Sequence, residues 1–229
     1  MPLHTNKLIL LTALLLFPAL TCVAQSTSGT VSMSATVSKF VEINSGGTVT
    51  LTGNSGGGVT TDGVANSPLA VSINLGELGP SNTNSFVSAQ VPLKLRSNAP
   101  YVLSMTGTVT SSGTTASRIV ASDVGFGLGT VSRTGVGVNA GADTNATSGD
   151  PTVGGSTDAN GRWVFAGANS TLGAYSVSGA VLNGPRINQA VSANSNTALT
   201  FPAIFAVKPQ FFDPAPAITI TAQFTVVAL

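Results

Sequence analysis

The residues that come closest to forming a chemical site are oxygen ligands in the middle of the chain. Carboxylate and amide oxygens in a flexible loop are the donors that calcium prefers. The stretch 138–161 supplies Asp143, Asn145, Asp150, Asp158 and Asn160, followed by Gly161. Counted from Asp143, the spacing departs from that of an EF-hand, because Ser148 stands at the Gly position and Gly154 at the Glu position. A solvated loop is the favoured interpretation, and calcium binding by residues 138–160 stays an open alternative.

Catalysis by side chains has few residues to draw on. The single His and the single Cys are His4 and Cys22, and both lie in a predicted secretion signal. The chain after that signal therefore has no imidazole or thiol for a catalytic triad, an ordinary zinc site or a disulfide. Glu42, Glu77 and the Asp residues show no spacing that predicts a glycosidase pair. We expect no enzyme activity, no cofactor and no metal centre.

Two other features look like binding motifs. Residues 125–129 read GFGLG, which resembles a phosphate-binding loop, but no helix pattern follows and the glycine pattern continues to Gly137. Close packing around a strand is the better interpretation. Trp163 and Tyr101 could stack on a sugar ring, although a lone aromatic residue in a β-sandwich more often belongs to the core.

The first 24 residues predict a secretion signal, with Lys7 ahead of an apolar run at 8–17 and Pro18 before a small-residue cleavage context. The apolar run is too short for a membrane-spanning helix. Of nine Lys and Arg only Lys7 lies in the signal, which leaves eight against eight Asp and Glu. This balance gives no attraction to nucleic acid or to an anionic membrane. The sequence predicts a secreted chain with one domain at 25–229.

Alternation of apolar and polar residues predicts an all-β fold. The strongest pattern lies at 86–96, where the alternate apolar residues are Val87, Ala89, Val91, Leu93 and Leu95. A turn at 97–100 and a returning strand make 86–109 a predicted hairpin. Pro92 suggests that its strand lies at a sheet edge or carries a bulge.

Further strands are predicted at 46–51, 69–75, 119–131, 172–181, 198–208 and 217–229. Residues 163 and 165 are expected to return to the core, and 138–160 is expected to form a long surface loop or a small extra hairpin. The fold class is an all-β, immunoglobulin-like β-sandwich with long loops rich in Gly, Ser, Thr and Asn.

Residues 29–43 predict a strand with one apolar face and one face of small hydroxyl residues. The apolar positions in its first part are Val31, Met33, Ala35 and Val37. This strand could be the first of its own sandwich. Alternatively, residues 25–38 could act as a donor arm that completes the sheet of a neighbouring molecule by β-strand addition.

Both ends of the chain resemble a known family. The alternating arm, its continuation through residues 35–43 and the alternating strand at 217–229 resemble the cysteine-free, colonisation-factor type of chaperone–usher fimbrial subunit. The resemblance implies a sandwich that lacks one strand, which a periplasmic chaperone lends during export and the next subunit's arm replaces in the fibre. The implied donor residues are Val31, Met33, Ala35 and Val37, and the implied acceptor-groove and chaperone-edge residues are Ile218, Ile220, Phe224 and Val226.

The function expected from this resemblance is that of a structural subunit of a surface fimbria or pilus. Its partners would be further copies of itself, a periplasmic chaperone and an outer-membrane usher, and its location would be the cell surface. The alternative is a secreted, self-complete β-sandwich that acts as a binding module, either an adhesin or a carbohydrate-binding domain.

Overall fold

The computed structural model describes residues 34–36, 39–45, 48–52, 58–61, 69–76, 78, 85–111, 117–134, 141–147, 149–187, 198–215 and 218–229. It contains two units, Met1–Val37 and Ser38–Leu229. The predicted signal lies outside the described residues. In the first unit the described residues 34–36 are exposed and belong to no strand.

The second unit is all-β, as predicted, and its two large sheets form a sandwich. Its strands in chain order are β1 Val41–Ser45, β2 Thr50–Thr52, β3 Gly58–Thr61, β4 Leu69–Asn74, β5 Val87–Ser97, β6 Tyr101–Ser111, β7 Val124–Leu128, β8 Ser132–Thr134, β9 Thr144–Asn145, β10 Ser156–Thr157, β11 Trp163–Val164, β12 Gly179–Gly184, β13 Ala198–Val207 and β14 Ile218–Ala228. Short 3-10 turns lie at Ala121–Asp123 and Leu172–Tyr175.

The first sheet has the order β1–β5–β13–β7, with β2 also paired to β5 and β8 also paired to β13. The second has the order β3–β4–β14–β6–β12–β9, and β10 pairs with β11 in a separate small sheet. Every described pairing between these strands is antiparallel. The two large sheets enclose a core in which Phe126 of β7 lies 5.3 Å from the ring of Phe205 and 6.3 Å from that of Phe224.

The predicted hairpin at 86–109 is wrong, although both of its strands exist. The strand β5 belongs to the first sheet and β6 to the second, so the turn between them crosses from one sheet to the other. The turn is fixed from within, because Ser97 Oγ donates a 2.6 Å hydrogen bond to the carbonyl of Ala99. Alternating burial is the same in a hairpin and in such a crossing, so the sequence pattern does not distinguish them.

The prediction that Pro92 marks a sheet edge is wrong, since β5 is paired on both sides. The alternative prediction of a bulge agrees with the register, because the pairing on the side of β1 and β2 shifts by two residues between Ser45↔Leu93 and Thr50↔Gln90, on either side of Pro92. Pro92 lies between the residues that pair with β1, from Leu93 onward, and those that pair with β2, up to Gln90. On the other side of β5 it faces Pro202 of β13. Two residues without a backbone N–H thus face each other where one neighbouring strand gives way to the next.

The strand predicted at 29–43 is present in the described residues only from Val41. There it pairs with β5 of its own chain, and Ile43 is fully buried. The pairing ends at Val41 opposite Ser97 because β5 ends there, and the backbone of Phe40 turns to Asn98. The Phe40 N–H donates to Asn98 Oδ1 at 2.7 Å, and the Asn98 N–H donates to the Phe40 carbonyl at 3.1 Å.

The glycines of GFGLG pack closely, as predicted. They lie in and beside β7, where a Cβ on Gly125 would overlap the ring of Phe165 and one on Gly127 would overlap the carbonyl of Gly149. The strand predicted at 172–181 is wrong in its first part, because residues 172–175 form the second 3-10 turn and β12 begins at Gly179. Leu172 fills the space above Gly107, which favours the turn.

Candidate functional site

The predicted acceptor residues lie on the inner face of β14. Ile220 and Phe224 are fully buried, and Ile218 and Val226 retain about 6% and 5% exposure. Their alternation with Thr219, Thr221 and other polar residues is that of a strand with one face in the core. The structure therefore brings these four residues together on one face.

Both flanks of β14 are paired within the chain. On one side β6 accompanies it from Ile218 to Ala228, and on the other β4 accompanies it from Thr219 to Phe224. The position that a strand from another molecule would occupy beside Thr219–Phe224 is taken by the chain's own β4. Entry of a donated strand there stays a prediction, and it requires that β4 leave.

The inner face of β4 has the same pattern as the predicted arm. Leu69, Val71 and Ile73, together with Leu75 just beyond the strand, are at most 1% exposed. They are four apolar residues on every second position, as are the four predicted donor residues. Of those donor residues, Val31, Met33 and Val37 lie outside the described residues, and Ala35 is exposed.

Among the described residues, no three His, Cys, Asp or Glu side chains are grouped so that they could hold a metal ion, and the acidic residues of the middle segment have other partners. Asp143 forms an ion pair with Arg133, with Asp143 Oδ1 and Arg133 Nη2 2.6 Å apart. Asp150 Oδ1 accepts a hydrogen bond from the N–H of Thr152. Asp158 Oδ1 accepts bonds from the N–H groups of Asn160 and Arg162. Asp150 and Asp158 thus stabilise their own turns, and Asp143 is bonded to residues of other strands.

Tyr101 is a core residue and is not available to stack on a sugar. It is fully buried, and its hydroxyl donates a 2.6 Å hydrogen bond to Asp143 Oδ1. Burial and the neighbouring carboxylate hold the pKa of Tyr101 well above its usual range. One buried polar network therefore links the two large sheets. Asp143 connects Tyr101 of the second sheet to Arg133, which lies in β8 of the first sheet.

Trp163 lies at a pocket of about 500 Å³ that the sequence analysis did not find. The segment after β13 forms one wall, and the end of the β10–β11 hairpin forms the other. The residues that line the pocket are Ser117, Thr157, Asn160, Gly161, Arg162, Trp163, Lys208, Pro209, Gln210, Phe211 and Phe212. Aromatic rings, side-chain amides, hydroxyls and two cations thus face a common space.

Trp163 is held in place through both its ring and its backbone. Its ring meets that of Phe86 edge to face at 5.6 Å, and its backbone N–H donates to Gln210 Oε1 at 2.8 Å. Gly155 lies against the indole so closely that a Cβ there would be 2.5 Å from Cζ2. Lys208 Nζ is 5.6 Å from the Trp163 ring and 5.0 Å from the Phe86 ring, which allows cation–π attraction to both.

Electrostatics differ between the two cations of this pocket. Arg162 pairs with the buried carboxylate of Asp123, whose oxygens accept from its Nε and Nη2. The hydrogen bond to Asp123 raises the pKa of Arg162 against the opposing effect of burial. Within the described residues Lys208 has aromatic neighbours and no carboxylate within ion-pair distance. The positive charge of Lys208 is therefore available to a ligand.

Comparison with family models, with curated proteins and with solved structures gives no match. The resemblance to fimbrial subunits consequently depends on the residue pattern alone. In the part of the chain that the structure describes, no helix has the length and apolar character needed to cross a membrane.

Proposed function

We propose that the protein is a structural subunit of a surface fimbria or pilus that polymerises by β-strand addition. The donor segment is residues 25–38, and the acceptor is the flank of β14 that β4 occupies in the single chain. The observation that carries this proposal is a shared pattern of four apolar residues at a period of two, found in the donor segment and in residues 69–75, which are β4 and the residue after it. Such a match would let one strand replace the other in the same groove.

The energetics of replacement favour an assisted process. Each buried apolar side chain of β4 contributes about 1.5–3 kcal/mol, so the strand does not leave readily. As part of the same chain, β4 also acts at a high effective concentration. A donated strand that is longer than β4 offsets these two advantages of β4, because it forms further main-chain hydrogen bonds at roughly 0.5–1.5 kcal/mol each. A periplasmic chaperone that holds the groove open, and an usher that aligns successive subunits, would supply the missing step.

Deletion of residues 26–38 tests the donor segment. The full chain and the deletion variant are expressed with a secretion signal and the assembly partners of their host, and surface fibres are examined by electron microscopy and on gels. We expect a secreted but unpolymerised variant. Val37→Asp should also abolish fibres, whereas Thr36→Asp, on the opposite face of the predicted strand, should not. Unchanged fibres after the deletion would contradict the proposal.

The second candidate is a self-complete, secreted binding module. Two pairings inside the chain favour this candidate. The strand β1 pairs with β5 of its own chain, and β4 pairs with β14, so neither flank of β14 between Thr219 and Phe224 needs a strand from another molecule. This candidate predicts that the purified chain stays monomeric at high concentration and that its sedimentation does not change when residues 26–38 are deleted.

A further inference from the structure

We propose that the pocket beside Trp163 binds an acidic sugar, that is, a pyranose ring that carries a carboxylate. The site is formed by Trp163, Lys208, Gln210, Phe211 and Phe212, and it shares no residue with the acceptor flank of β14. The proposal therefore goes beyond fibre assembly and holds for either candidate function.

Aromatic rings give the pocket the surface that a sugar ring packs against. The C–H groups on one face of a pyranose are weakly positive and pack on the electron-rich face of an aromatic ring. Phe211 is 84% exposed although it is a large apolar residue, and it stands directly beside half-buried Phe212. Trp163 is fixed by Phe86, Gly155 and Gln210, so it offers a rigid surface with little entropy to lose on binding.

Polar groups around the rings suit the hydroxyls of the same ligand. Asn160 and Gln210 carry side-chain amides, and Thr157 carries a hydroxyl, so the rim can both donate and accept hydrogen bonds. Gln210 accepts the hydrogen bond of the Trp163 backbone N–H with its side-chain carbonyl oxygen, which leaves its amide N–H₂ group as the donor for a ligand. A few polar groups on an otherwise aromatic wall are typical of small-ligand sites of this volume.

Charge selects an acid over a neutral sugar. The described residues that line the pocket include two cations, Arg162 and Lys208, and no carboxylate. Asp123 already neutralises Arg162, and Asp158 is engaged by backbone N–H groups of its own turn. Lys208 thus provides the uncompensated charge, held in place over two rings. A ligand carboxylate would form a charge-assisted hydrogen bond with its ammonium group.

Trp163 is the only tryptophan of the chain, so its fluorescence reports directly on the pocket. The purified chain is titrated with tri-galacturonate and with 3′-sialyllactose, each beside its neutral counterpart, the methyl ester of the same sugar. We expect saturable binding of at least one acidic probe, with the neutral counterpart about tenfold weaker or more. The two probes distinguish a uronic acid from a sialic acid as the source of the carboxylate.

Variants separate charge from stacking. Lys208→Gln should weaken the binding of the acidic probe about tenfold and leave the binding of the neutral probe unchanged. Lys208→Arg should keep the preference for the acidic probe. Phe211→Ser should weaken both probes. Lys94→Gln removes the same charge from β5 and should change nothing. Calorimetry repeats each titration, because loss of Lys208 alters the fluorescence of Trp163 itself. Equal binding of acidic and neutral probes, no binding of either acidic probe at millimolar concentration, or equal effects of the two Lys→Gln variants would overturn the proposal.

Discussion

The two flanks of β14 have the same antiparallel geometry but differ in extent. The flank formed by β6 pairs with the whole of β14, from Ile218 to Ala228, whereas the flank formed by β4 pairs with Thr219–Phe224. Longer pairing brings more main-chain hydrogen bonds and more cross-strand side-chain contacts. Under the proposed function, the difference favours β4 over β6 as the flank at which a donated strand would enter.

Side-chain anchoring differs in the same direction. The first residue of β6, Tyr101, donates to Asp143, which is paired with Arg133 of the opposite sheet. At the end of β4, Asn74 Oδ1 accepts from the N–H of Gly76, which is a bond within the same turn. The β6 flank is thus fixed by a buried network across the sandwich. The predictions below test whether this anchoring distinguishes the two flanks.

The largest loss of stability is expected from Asp143→Ala. The two side chains of the ion pair are 8% and 11% exposed, and removal of one partner leaves the other charge buried. Breaking a buried pair of this kind costs about 3–5 kcal/mol in the free energy of unfolding. Denaturant unfolding measures this loss, and Asp150→Ala, at an exposed loop carboxylate, is the matched control. Equal losses for both variants would show that the network does not anchor β6.

A matched pair of core substitutions compares the flanks directly. Ile73→Ala in β4 and Leu103→Ala in β6 each remove a fully buried side chain and should each cost about 2–5 kcal/mol. Only Ile73→Ala should speed the uptake of a labelled peptide with the sequence of residues 26–43. The rate of peptide uptake should rise about tenfold for each 1.4 kcal/mol by which the substitution lowers the free energy needed to release β4.

Uptake is followed by fluorescence anisotropy under conditions in which both variants remain folded. The comparison fails if Leu103→Ala accelerates uptake as much as Ile73→Ala does. Acceleration by both would mean that the peptide enters through global unfolding and that β4 has no special role. The absence of uptake in every variant would favour the self-complete module.

Local patterns in the sequence predicted individual strands well and their neighbours poorly. The alternation in β5 and β14 gave the buried face of each strand correctly, because a period of two is a property of the strand itself. Assignment of β5 and β6 to different sheets, and of β4 to the flank of β14, depends on which apolar faces meet in the core. Contacts between residues far apart in the sequence decide which strands become neighbours, and the alternation within a strand is the same whichever neighbour it has.

The pocket was missed for a similar reason. Its residues come from the stretches around 117, 157–163 and 208–212, which no spacing rule connects. Trp163 stood out in the sequence but was expected to lie in the core, whereas Lys208 and Phe211 did not stand out. One signal was available, since residues 208–212 place a cation and two aromatic residues directly after a strand in a chain with 6% aromatic residues. Residues of that type outside a strand pattern indicate a surface role.

The smallest expected effect is a loss of stability at high pH that is traced to the two tyrosines of the chain. Tyr101 begins the β6 flank, and Tyr175 ends the second 3-10 turn. Burial is the main cause of a raised pKa in both, and the bond to Asp143 adds to it for Tyr101. In the unfolded chain each hydroxyl titrates near its usual pKa of about 10.

The sign of the effect follows from proton binding. Above pH of about 10 the unfolded chain loses protons that the folded chain retains, so unfolding becomes more favourable as the pH rises. The contribution of the tyrosines is therefore intact below that pH and falls by up to about 1.4 kcal/mol per pH unit for each tyrosine above it. Tyrosinate absorbance should appear at a higher pH in the folded protein than in the unfolded chain.

Tyr101→Phe and Tyr175→Phe assign this slope to the two sites. Each should reduce the dependence of the unfolding free energy on pH above 10, because the substituted ring has no proton to lose. Only Tyr101→Phe should also lower stability at neutral pH, by about 1 kcal/mol, through the lost hydrogen bond to Asp143. If tyrosinate formed at its ordinary pH in the folded Tyr175→Phe variant, in which Tyr101 is the remaining tyrosine, Tyr101 would be open to solvent. The buried network would then give the β6 flank no firmer anchoring than the β4 flank has from its local contacts.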